Sequence, residues 1–221
     1  MIDLSKVQKR TTADIAKRIV QDIPDGAHVN LGIGQPMTIS NYLPSDKEIL
    51  LHSENGLLGM GPLAKDHEID EELVNAGKQP VTMLPGASLC HHADSFVMIR
   101  GGHIDICVLG AFQVSVKGDI ANWRTGDPKA IPAVGGAMDL ALGAKKLFVM
   151  MEHLTKSGES KLVKECTYPL TALAAVDCIY TDLATIAVTP QGLVAVDWVG
   201  GISFENLQAL SGVPMIQGSV R

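Results

Sequence analysis

The segment with the clearest chemical potential is Ser53-Glu54-Asn55-Gly56, which places one carboxylate after a hydrophobic run and before further glycines. Glu54 either caps backbone amides in a loop or acts as a nucleophile. A glutamate with an unperturbed pKa of about 4.3 is ionised at neutral pH, so it needs no neighbouring base to attack a carbonyl carbon. Such an attack requires donors aimed at the developing oxyanion, and glycine amides supply them without steric hindrance.

Other motifs for nucleophilic or nucleotide chemistry are missing from the sequence. There is no Gly-x-Ser-x-Gly elbow of the kind that carries a serine nucleophile. Gly32-Ile33-Gly34 matches the start of a dinucleotide-binding loop, but Met37 stands where the third glycine belongs, and a Walker lysine is also missing. The two glycines therefore form either a tight turn from strand to helix or a backbone cradle for an anion.

Composition narrows the possible functions further. The 221 residues are 46% hydrophobic and 19% charged, which is enough for one sizeable core, so we expect a single domain over residues 1–221. Eighteen Lys and Arg against 24 Asp and Glu give a net charge of −6, without a basic stripe that could neutralise nucleic acid. No apolar stretch reaches the roughly 18 residues of a membrane span, and Met1–Arg10 does not resemble an export signal. We therefore expect a cytoplasmic protein.

The cysteines are too widely spaced for a disulfide framework or a zinc site. They are Cys90, Cys107, Cys166 and Cys178. Without a Cys-x-x-Cys pair or histidines at ligand spacing, the sequence predicts reduced thiols in the core. We expect neither a metal nor a redox cofactor.

The elements that position Glu54 follow an alternating pattern. Thr11 to Ile23 carries its apolar residues on one helical face, and Thr11 with Asp14 forms a capping box. Short apolar runs that end at turns predict strands, and a further helix is predicted between the last two runs. The strand runs are Ala27–Leu31, Ile49–His52, Val81–Leu84, Ile104–Leu109, Phe112–Val116 and Lys146–Met151, and the helix is Ala137–Ala144. This alternation predicts an α/β fold with an open, mostly parallel sheet and helices on both faces.

The last quarter of the chain has a different pattern. Ile179–Val188 and Leu193–Trp198 are rich in β-branched residues and flank Thr189-Pro190-Gln191-Gly192, in which proline and glycine suit a type I turn. These runs predict a C-terminal β-hairpin at a sheet edge, followed by a short helix at Ser203–Leu210. The acidic loop Pro62–Gln79 is a candidate lid or partner-facing excursion.

Several motifs, in the same order along the chain, resemble the β-subunit of 3-oxoacid CoA-transferases. They are Ser53-Glu54-Asn55-Gly56, Pro85-Gly86-Ala87, Ile99-Arg100-Gly101-Gly102-His103, Leu109-Gly110-Ala111-Phe112-Gln113-Val114, Asn122-Trp123 and Gly135-Gly136-Ala137-Met138-Asp139-Leu140. The resemblance covers most of the chain. It implies an open α/β fold, a separate CoA-transferase α-subunit, and an active site at the boundary of the two chains.

The resemblance also implies a mechanism. In that family the glutamate of the Ser-Glu-Asn-Gly motif attacks an acyl-CoA thioester, and this residue corresponds to Glu54. An acyl-glutamyl anhydride forms first, a glutamyl-CoA thioester follows, and CoA passes from succinyl-CoA to a 3-oxoacid. No cofactor is implied, since coenzyme A is a substrate.

Four residues near this chemistry have alternative roles. The family places an oxyanion-hole amide at the pair Gly135 and Gly136, and the sequence leaves open which glycine supplies it. Asn55 either polarises the attacked carbonyl or forms a turn before Gly56. Gln113 either contacts substrate or CoA, or forms hydrogen bonds to a neighbouring loop.

Three further residues are candidates for binding a substrate carboxylate. His91 and His92 either supply a donor-rich recess or belong to a solvated helical turn. Arg100 either clamps a carboxylate or phosphate with two bonds, or pairs with Asp105 or Asp139 inside the protein. Asp139 is also expected to interact with the positive end of a helix dipole.

The choice of substrate rests on a few positions. The segments His91–Phe96, Trp123–Asp127 and Ala130–Pro132 resemble subunits that act on 3-oxoadipate more than those that act on acetoacetate. Alternatives are a β-subunit for acetoacetate or short-chain fatty acids, and an isomerase-like or regulatory subunit on the same scaffold. The expected partners are the α-subunit, an acyl-CoA and a 3-oxoacid, in a heterotetramer or another oligomer, with neither nucleic acid nor a membrane.

Overall fold

The computed structural model describes residues 7–127, 129 and 131–218. Ala130 and the start of the N-terminal segment, both used in the sequence analysis, lie outside the described residues. The helices are α1 (Thr12–Asp22), α2 (His92–Arg100), α3 (Ala137–Gly143) and α4 (Phe204–Ser211), with 3-10 helical segments at Gln35–Tyr42 and Asp66–Glu68. The strands are β1 (His28–Leu31), β2 (Leu50–Ser53), β3 (Leu57–Leu63), β4 (Val81–Leu89), β5 (Ile106–Leu109), β6 (Gln113–Ser115), β7 (Ile120–Ala121), β8 (Lys146–Met150), β9 (Leu162–Val163), β10 (Val176–Tyr180), β11 (Ala184–Thr189), β12 (Gly192–Trp198) and β13 (Met215–Gln217).

The chain folds into two compact units. The Glu54 unit comprises residues 16–110 and 136–147, and the C-terminal unit comprises the described residues of 1–15, 111–135 and 148–221. The expectation of a single domain stays a prediction. No helix in the described part of the chain is long and apolar enough to cross a membrane.

The strand order in the Glu54 unit is β5-β1-β2-β3-β4. Strand β1 lies parallel to both β2 and β5, whereas β3 is antiparallel to β2 and β4. The last three residues of β1, the last three of β2 and all of β5 are buried, as expected for strands at the centre of a sheet. The carboxyl ends of these parallel strands meet at one edge, where Glu54 follows β2.

Helix α1 shows how local sequence determines an element boundary. Thr11 N donates to Asp14 Oδ2 at 2.9 Å, and Asp14 N donates to Thr11 Oγ1 at 3.2 Å, so the predicted capping box is present. Ile15, Ile19 and Ile23 are fully buried, which confirms the predicted apolar face.

The strand β3 was not predicted. Gly59, Gly61 and Pro62 made this segment resemble a loop, but its backbone pairs with both β2 and β4. Gly59 has a φ of +83° at a register shift between β3 and β4, and a Cβ there would lie 2.8 Å from Ala87 Cβ, so the glycine permits both an irregularity within the strand and close approach of β4. Strand β4 also extends through Pro85 and Gly86, beyond its predicted end at Leu84.

The C-terminal unit contains the sheet order β13-β12-β11-β10-β8 and a small sheet in which β6 pairs with β7 and β9. The predicted hairpin is confirmed, with Thr189 opposite Gly192. Its predicted position at an edge is wrong, because β13 pairs in parallel with β12. Helix α4 begins after Ser203, whose hydroxyl accepts from Asn206 N at 3.3 Å.

The predicted strand Ile179–Val188 is two strands. Thr181 Oγ1 accepts from the amides of Leu183 and Ala184 at 3.1 and 2.9 Å, and this turn separates β10 from β11. A hydroxyl that satisfies local amides competes with strand pairing. With these corrections, the predicted α/β fold with an open sheet and a C-terminal hairpin is confirmed.

Candidate active site

Glu54 lies in a tight turn between β2 and β3 whose conformation requires the glycine of its motif. Gly56 N donates to Ser53 O at 3.0 Å, and Gly56 has a φ of +109°, which disfavours any residue with a side chain. A Cβ at Gly56 would lie 2.2 Å from the carbonyl oxygen of Cys90. The turn therefore packs against the segment before α2, and this contact fixes the position of the backbone at Glu54.

The Glu54 carboxylate is half-buried and accepts a hydrogen bond from a neutral side chain. Asn30 Nδ2 donates to Glu54 Oε2 at 3.5 Å. Burial raises the pKa of Glu54 above its ordinary value, while its own backbone amide, Asn30 and His92 oppose the rise. Within the described residues Glu54 has no ion-pair partner. Burial thus moves the pKa of Glu54 above the ordinary value used in the sequence analysis, and the same burial makes the carboxylate a stronger base.

Strand register brings three polar side chains together beside Glu54. Asn30 on β1 is paired with His52 on β2 and with Cys107 on β5. Neighbouring residues in register point to the same face of a sheet, so their side chains meet. Asn30, His52 and Cys107 are at most 1% exposed. Sequence analysis missed Asn30 and His52, although each is a polar residue inside a buried apolar strand, which was the available signal.

His52 joins this group to helix α2. Its Nδ1 lies 3.0 Å from Asn30 Nδ2, and its Nε2 lies 2.7 Å from Ser95 Oγ. Burial lowers the pKa of His52 to about 4, so its imidazole is neutral at physiological pH. Ser95 is a further polar residue of the site that sequence analysis did not identify.

The predicted residues on either side of the turn have structural roles. Asn55 Nδ2 donates to Val74 O at 2.7 Å and ties the acidic excursion between β3 and β4 to the Glu54 turn. His91 is the N-cap of α2, where its Nδ1 accepts from Ala93 N at 3.1 Å. His91 therefore belongs to a helical turn, which is the second of the two roles predicted for it. A substrate role for Asn55 or His91 remains a prediction.

His92 occupies the first turn of α2 and is brought close to Glu54. Its ring packs against Phe96 with centroids 4.9 Å apart, and its charge opposes the rise in the Glu54 pKa. His92 is the one of the two predicted histidines that acts on the carboxylate electrostatically in the part of the chain described.

The two glycines proposed for the oxyanion hole differ in their surroundings. Gly135 has a φ of +47° and open space around its Cβ position. Gly136 is the N-cap of α3, and a Cβ there would lie 2.8 Å from Phe96 Cζ, so Gly136 permits close packing of α3 on α2. An oxyanion-hole role for either amide stays a prediction.

Arg100 and Gln113 are engaged within the protein. Arg100 Nε and Nη2 donate to the two carboxylate oxygens of Asp139 at 2.7 and 3.2 Å, which confirms the Asp139 alternative for its ion pair. Asp105 pairs with Lys145 instead. Gln113 Oε1 accepts from Thr167 N at 2.8 Å, as in the predicted bonding to a neighbouring loop.

The structure also bears on the predictions for Gly32 and Gly34, for the cysteines and for a metal site. Gly34 has a φ of +93°, which supports the tight-turn interpretation, and a Cβ at Gly32 would lie 2.8 Å from Leu109 Cδ2, so Gly32 permits close packing there. Of the free cysteines, Cys107 is buried, while the other three are only partly buried, so the prediction of four core thiols is correct for Cys107 alone. In the described ranges no group of three His, Cys, Asp or Glu side chains is placed to hold a metal ion.

Comparison with known proteins places this chain in a family. The Coenzyme A transferase family model matches residues 12–197. The chain is 63% identical over 210 residues to the β-subunit of the 3-oxoadipate CoA-transferase of Pseudomonas putida, covering 95% of this chain and 98% of that protein. It is 46% identical over 194 residues to the β-subunit of the succinyl-CoA:3-ketoacid coenzyme A transferase of Helicobacter pylori, covering 88% of this chain and 93% of that protein.

A solved structure shows the same fold. The crystal structure of an acyl-CoA transferase from Escherichia coli O157:H7 superposes with a TM-score of 0.75 at 16% identity, covering 95% of this chain. The present chain spans 42% of that longer protein. Because a family model and a close relative both match nearly the whole chain, the resemblance predicted from sequence is confirmed, and the chain belongs to the Coenzyme A transferase family as one of its β-subunits.

Proposed function

We propose that this chain is the catalytic subunit of a CoA-transferase that moves CoA from succinyl-CoA to 3-oxoadipate through a glutamyl-CoA thioester on Glu54. The observation that carries the proposal is the Glu54 carboxylate itself: it is half-buried, has a raised pKa, is held by the neutral donor Asn30, and has no ion-pair partner among the described residues. An ion pair would reduce its nucleophilicity. The 63% identity to the β-subunit of a 3-oxoadipate CoA-transferase supports the choice of acid.

The first half of the reaction loads CoA onto the protein. A Glu54 carboxylate oxygen attacks the thioester carbon of succinyl-CoA, and the carbon–sulfur bond breaks, which yields a succinyl-glutamyl anhydride and CoA thiolate. The thiolate then attacks the Glu54 carbonyl carbon of the anhydride. This forms the glutamyl-CoA thioester and releases succinate.

The second half reverses these steps with the acceptor. A carboxylate of 3-oxoadipate attacks the glutamyl-CoA carbonyl and expels CoA thiolate, which gives a mixed anhydride. The thiolate then attacks the 3-oxoadipyl carbonyl of this anhydride, and the Glu54 carboxylate leaves. The products are 3-oxoadipyl-CoA and free Glu54, and no water or proton is consumed. An amide from Gly135 or Gly136 would stabilise the oxyanion in each tetrahedral intermediate.

Anhydride formation from a weak nucleophile is uphill, so binding energy from the rest of CoA must be used at the reacting carbon. Burial of Glu54 contributes by raising the basicity of the carboxylate. His92, close to Glu54 on α2, contributes a donor or a positive charge for the second carboxylate that both proposed acids carry.

We further propose that the chain works with a separate α-subunit in a hetero-oligomer, such as a heterotetramer. The curated relatives are named as β-type subunits, which supports a partner. The acyl-CoA transferase of known structure is more than twice as long as the segment matched here, which also supports a second half. We expect no cofactor beyond CoA as substrate, and a cytoplasmic location stays a prediction from the sequence.

A second acceptor class has specific support. The relative that is 46% identical belongs to a succinyl-CoA:3-ketoacid transferase, so a monocarboxylic 3-oxoacid such as acetoacetate is the competing acceptor. The test is to co-express the chain with its α-subunit, then compare kcat/KM for 3-oxoadipate and acetoacetate. We expect a clear preference for 3-oxoadipate, and a preference for acetoacetate would contradict the acceptor proposed here.

The covalent mechanism has its own test. Radiolabelled succinate should exchange into succinyl-CoA in the absence of an acceptor, since the first half-reaction is complete without one. Glu54→Gln should abolish this exchange because an amide cannot make the attack, whereas Glu159→Gln, an exposed glutamate of the C-terminal unit, should retain it. Exchange that requires the acceptor would contradict a glutamyl-CoA intermediate.

A further inference from the structure

A buried chain of hydrogen bonds connects Glu54 to helix α2 through Asn30, His52 and Ser95, and the proposed function gives no role to His52 or Ser95. Asn30 Nδ2 lies 3.5 Å from Glu54 Oε2, 3.0 Å from His52 Nδ1 and 3.1 Å from the carbonyl oxygen of His52. His52 Nε2 lies 2.7 Å from Ser95 Oγ. Asn30 and Ser95 are fully buried and His52 is 1% exposed, so water cannot replace a missing partner.

The chemistry of Glu54 fixes the orientation of the Asn30 amide. An ionised carboxylate only accepts hydrogen bonds, so the nitrogen of Asn30 must face Glu54. Asn30 Oδ1 then faces Cys107 Sγ at 4.0 Å, and burial raises the pKa of Cys107 well above its ordinary value, so the thiol keeps its proton. The two amide hydrogens of Asn30 therefore point toward Glu54 on one side and toward Nδ1 and the carbonyl oxygen of His52 on the other.

This orientation selects one form of His52. Because Asn30 Nδ2 is a donor, His52 Nδ1 must accept, and the proton of the neutral ring lies on Nε2. Nε2–H then donates to Ser95 Oγ, and the Ser95 hydroxyl donates to Ser53 O at 3.3 Å. Every donor in the chain has an acceptor in this form alone. A doubly protonated His52 would set a donor against the Asn30 donor.

We propose that His52 is a positioning residue for the nucleophile: by accepting a hydrogen bond at Nδ1 it holds the Asn30 amide in the orientation that donates to Glu54. The proposal rests on the function proposed for Glu54. A fixed donor restrains one carboxylate oxygen and favours the ionised form that attacks. Without the acceptor at His52 Nδ1, the Asn30 amide keeps only the carbonyl oxygen of His52 as its partner on that side, so its orientation is less restrained.

The charged and titratable groups around His52 keep it neutral. His28 on β1 disfavours a second positive charge, and burial dominates in lowering the pKa of His52 to about 4. Cys107 on β5 stays a neutral thiol, and His92 on α2 interacts with Glu54. Since the pKa of Glu54 is raised above its ordinary value, Glu54 takes up its proton before His52 does as the pH falls. The acid limb of the activity profile therefore reports Glu54.

The experiment compares His52→Gln with His52→Leu in the complex with the α-subunit. Glutamine carries an acceptor and a donor and cannot be protonated, whereas leucine has neither group. We expect His52→Leu to lower kcat by about tenfold, the scale of a lost bond to a charged group, and to move the acid limb of kcat/KM to higher pH. His52→Gln should stay within about threefold of the wild type and keep the wild-type acid limb.

Two further measurements separate positioning from general packing. His153→Gln is the matched control, because His153 is also fully buried and bonded through both ring nitrogens, to Thr181 and Ser211 in the C-terminal unit. It should change the melting temperature without moving the acid limb. In an Asn30→Ala background, His52→Leu should have little additional effect on kcat, because His52 acts through Asn30. Should His52→Leu not fold, Ser95→Ala weakens the preference for the Nε2–H form and should move the acid limb in the same direction.

The outcomes distinguish this proposal from the one on which it rests. If the wild-type complex forms no CoA adduct on Glu54, the proposed function fails and the positioning role fails with it. If the adduct forms but His52→Leu keeps the wild-type kcat and acid limb, or its effect is fully additive with Asn30→Ala, the positioning role is overturned while the proposed function stands.

Discussion

Asn30 and His52 lie side by side on the parallel strands β1 and β2, with Asn30 Nδ2 3.0 Å from His52 Nδ1. The same amide reaches Glu54, which begins the turn after β2. The register of two central strands therefore determines which group the Glu54 carboxylate meets. The hydrogen-bond donor that it meets there is a neutral amide, as the proposed nucleophilic attack requires.

Placing a charge-bearing group in a partly buried turn has a cost in stability. Burial raises the pKa of Glu54 above its ordinary 4.5, so the folded protein binds a proton more tightly than the unfolded chain. The resulting destabilisation is absent below the unfolded pKa and complete above the folded pKa. We predict that Glu54→Gln raises the melting temperature at pH 7 and that the gain disappears near pH 4. Calorimetry at the two pH values measures this, and an equal gain at both would contradict the assignment of the cost to ionisation.

The raised pKa of Glu54 also predicts the pH dependence of transfer. Only the ionised carboxylate attacks, so kcat/KM for succinyl-CoA should fall as the pH drops through the pKa of Glu54 in the free enzyme. The acid limb should lie at higher pH than expected for an exposed glutamate. Initial rates across a pH series measure it. An acid limb at or below the ordinary glutamate value would show that burial does not govern this group.

Gly56 combines a positive φ with close backbone contact, and the two effects can be separated. Gly192 has a similar φ of +121° but open space around its Cβ position, whereas a Cβ at Gly56 would lie 2.2 Å from Cys90 O. Gly192→Ala should cost about 1 kcal/mol of unfolding free energy from strain alone. Gly56→Ala should cost at least about 2 kcal/mol more and lose transfer activity, because the backbone must shift. Urea unfolding compares the two, and equal costs would contradict the close contact.

The ion pair between Arg100 and Asp139 predicts a structural role for a residue that also suits a substrate clamp. Both carboxylate oxygens of Asp139 are engaged, and the Arg100 side chain is 66% exposed. Arg100→Ala should therefore leave the unfolding free energy close to that of the wild type. The KM values of this variant for 3-oxoadipate and for acetoacetate should match those of the wild-type complex. A large rise in the KM of the 3-oxoacid, with stability unchanged, would assign Arg100 to substrate binding instead.

The sequence predicted those parts of the site that depend on local chain geometry. Glu54 and the glycine turn around it follow from one short motif, and the structure shows why Gly56 is needed. The cap of α1 and the turn between β11 and β12 are local in the same sense.

Features that depend on pairing between distant segments were not predictable in this way. The raised pKa of Glu54 comes from burial, which the motif does not encode. Asn30 and His52 acquire their roles only when β1 and β2 pair in one register. Strand β3 was missed because its glycines and proline match loop composition, while its pairing with β2 and β4 overrides that preference.

Mass spectrometry of the Glu54 peptide tests the central claim most directly. The complex with the α-subunit is incubated with succinyl-CoA, quenched and digested, and the peptide of residues 48–65 is searched for a CoA adduct. We predict that the adduct appears on Glu54 without any acceptor, disappears when 3-oxoadipate is added, and is missing in Glu54→Gln. An active complex whose Glu54 peptide never carries CoA would contradict the mechanism proposed for this chain.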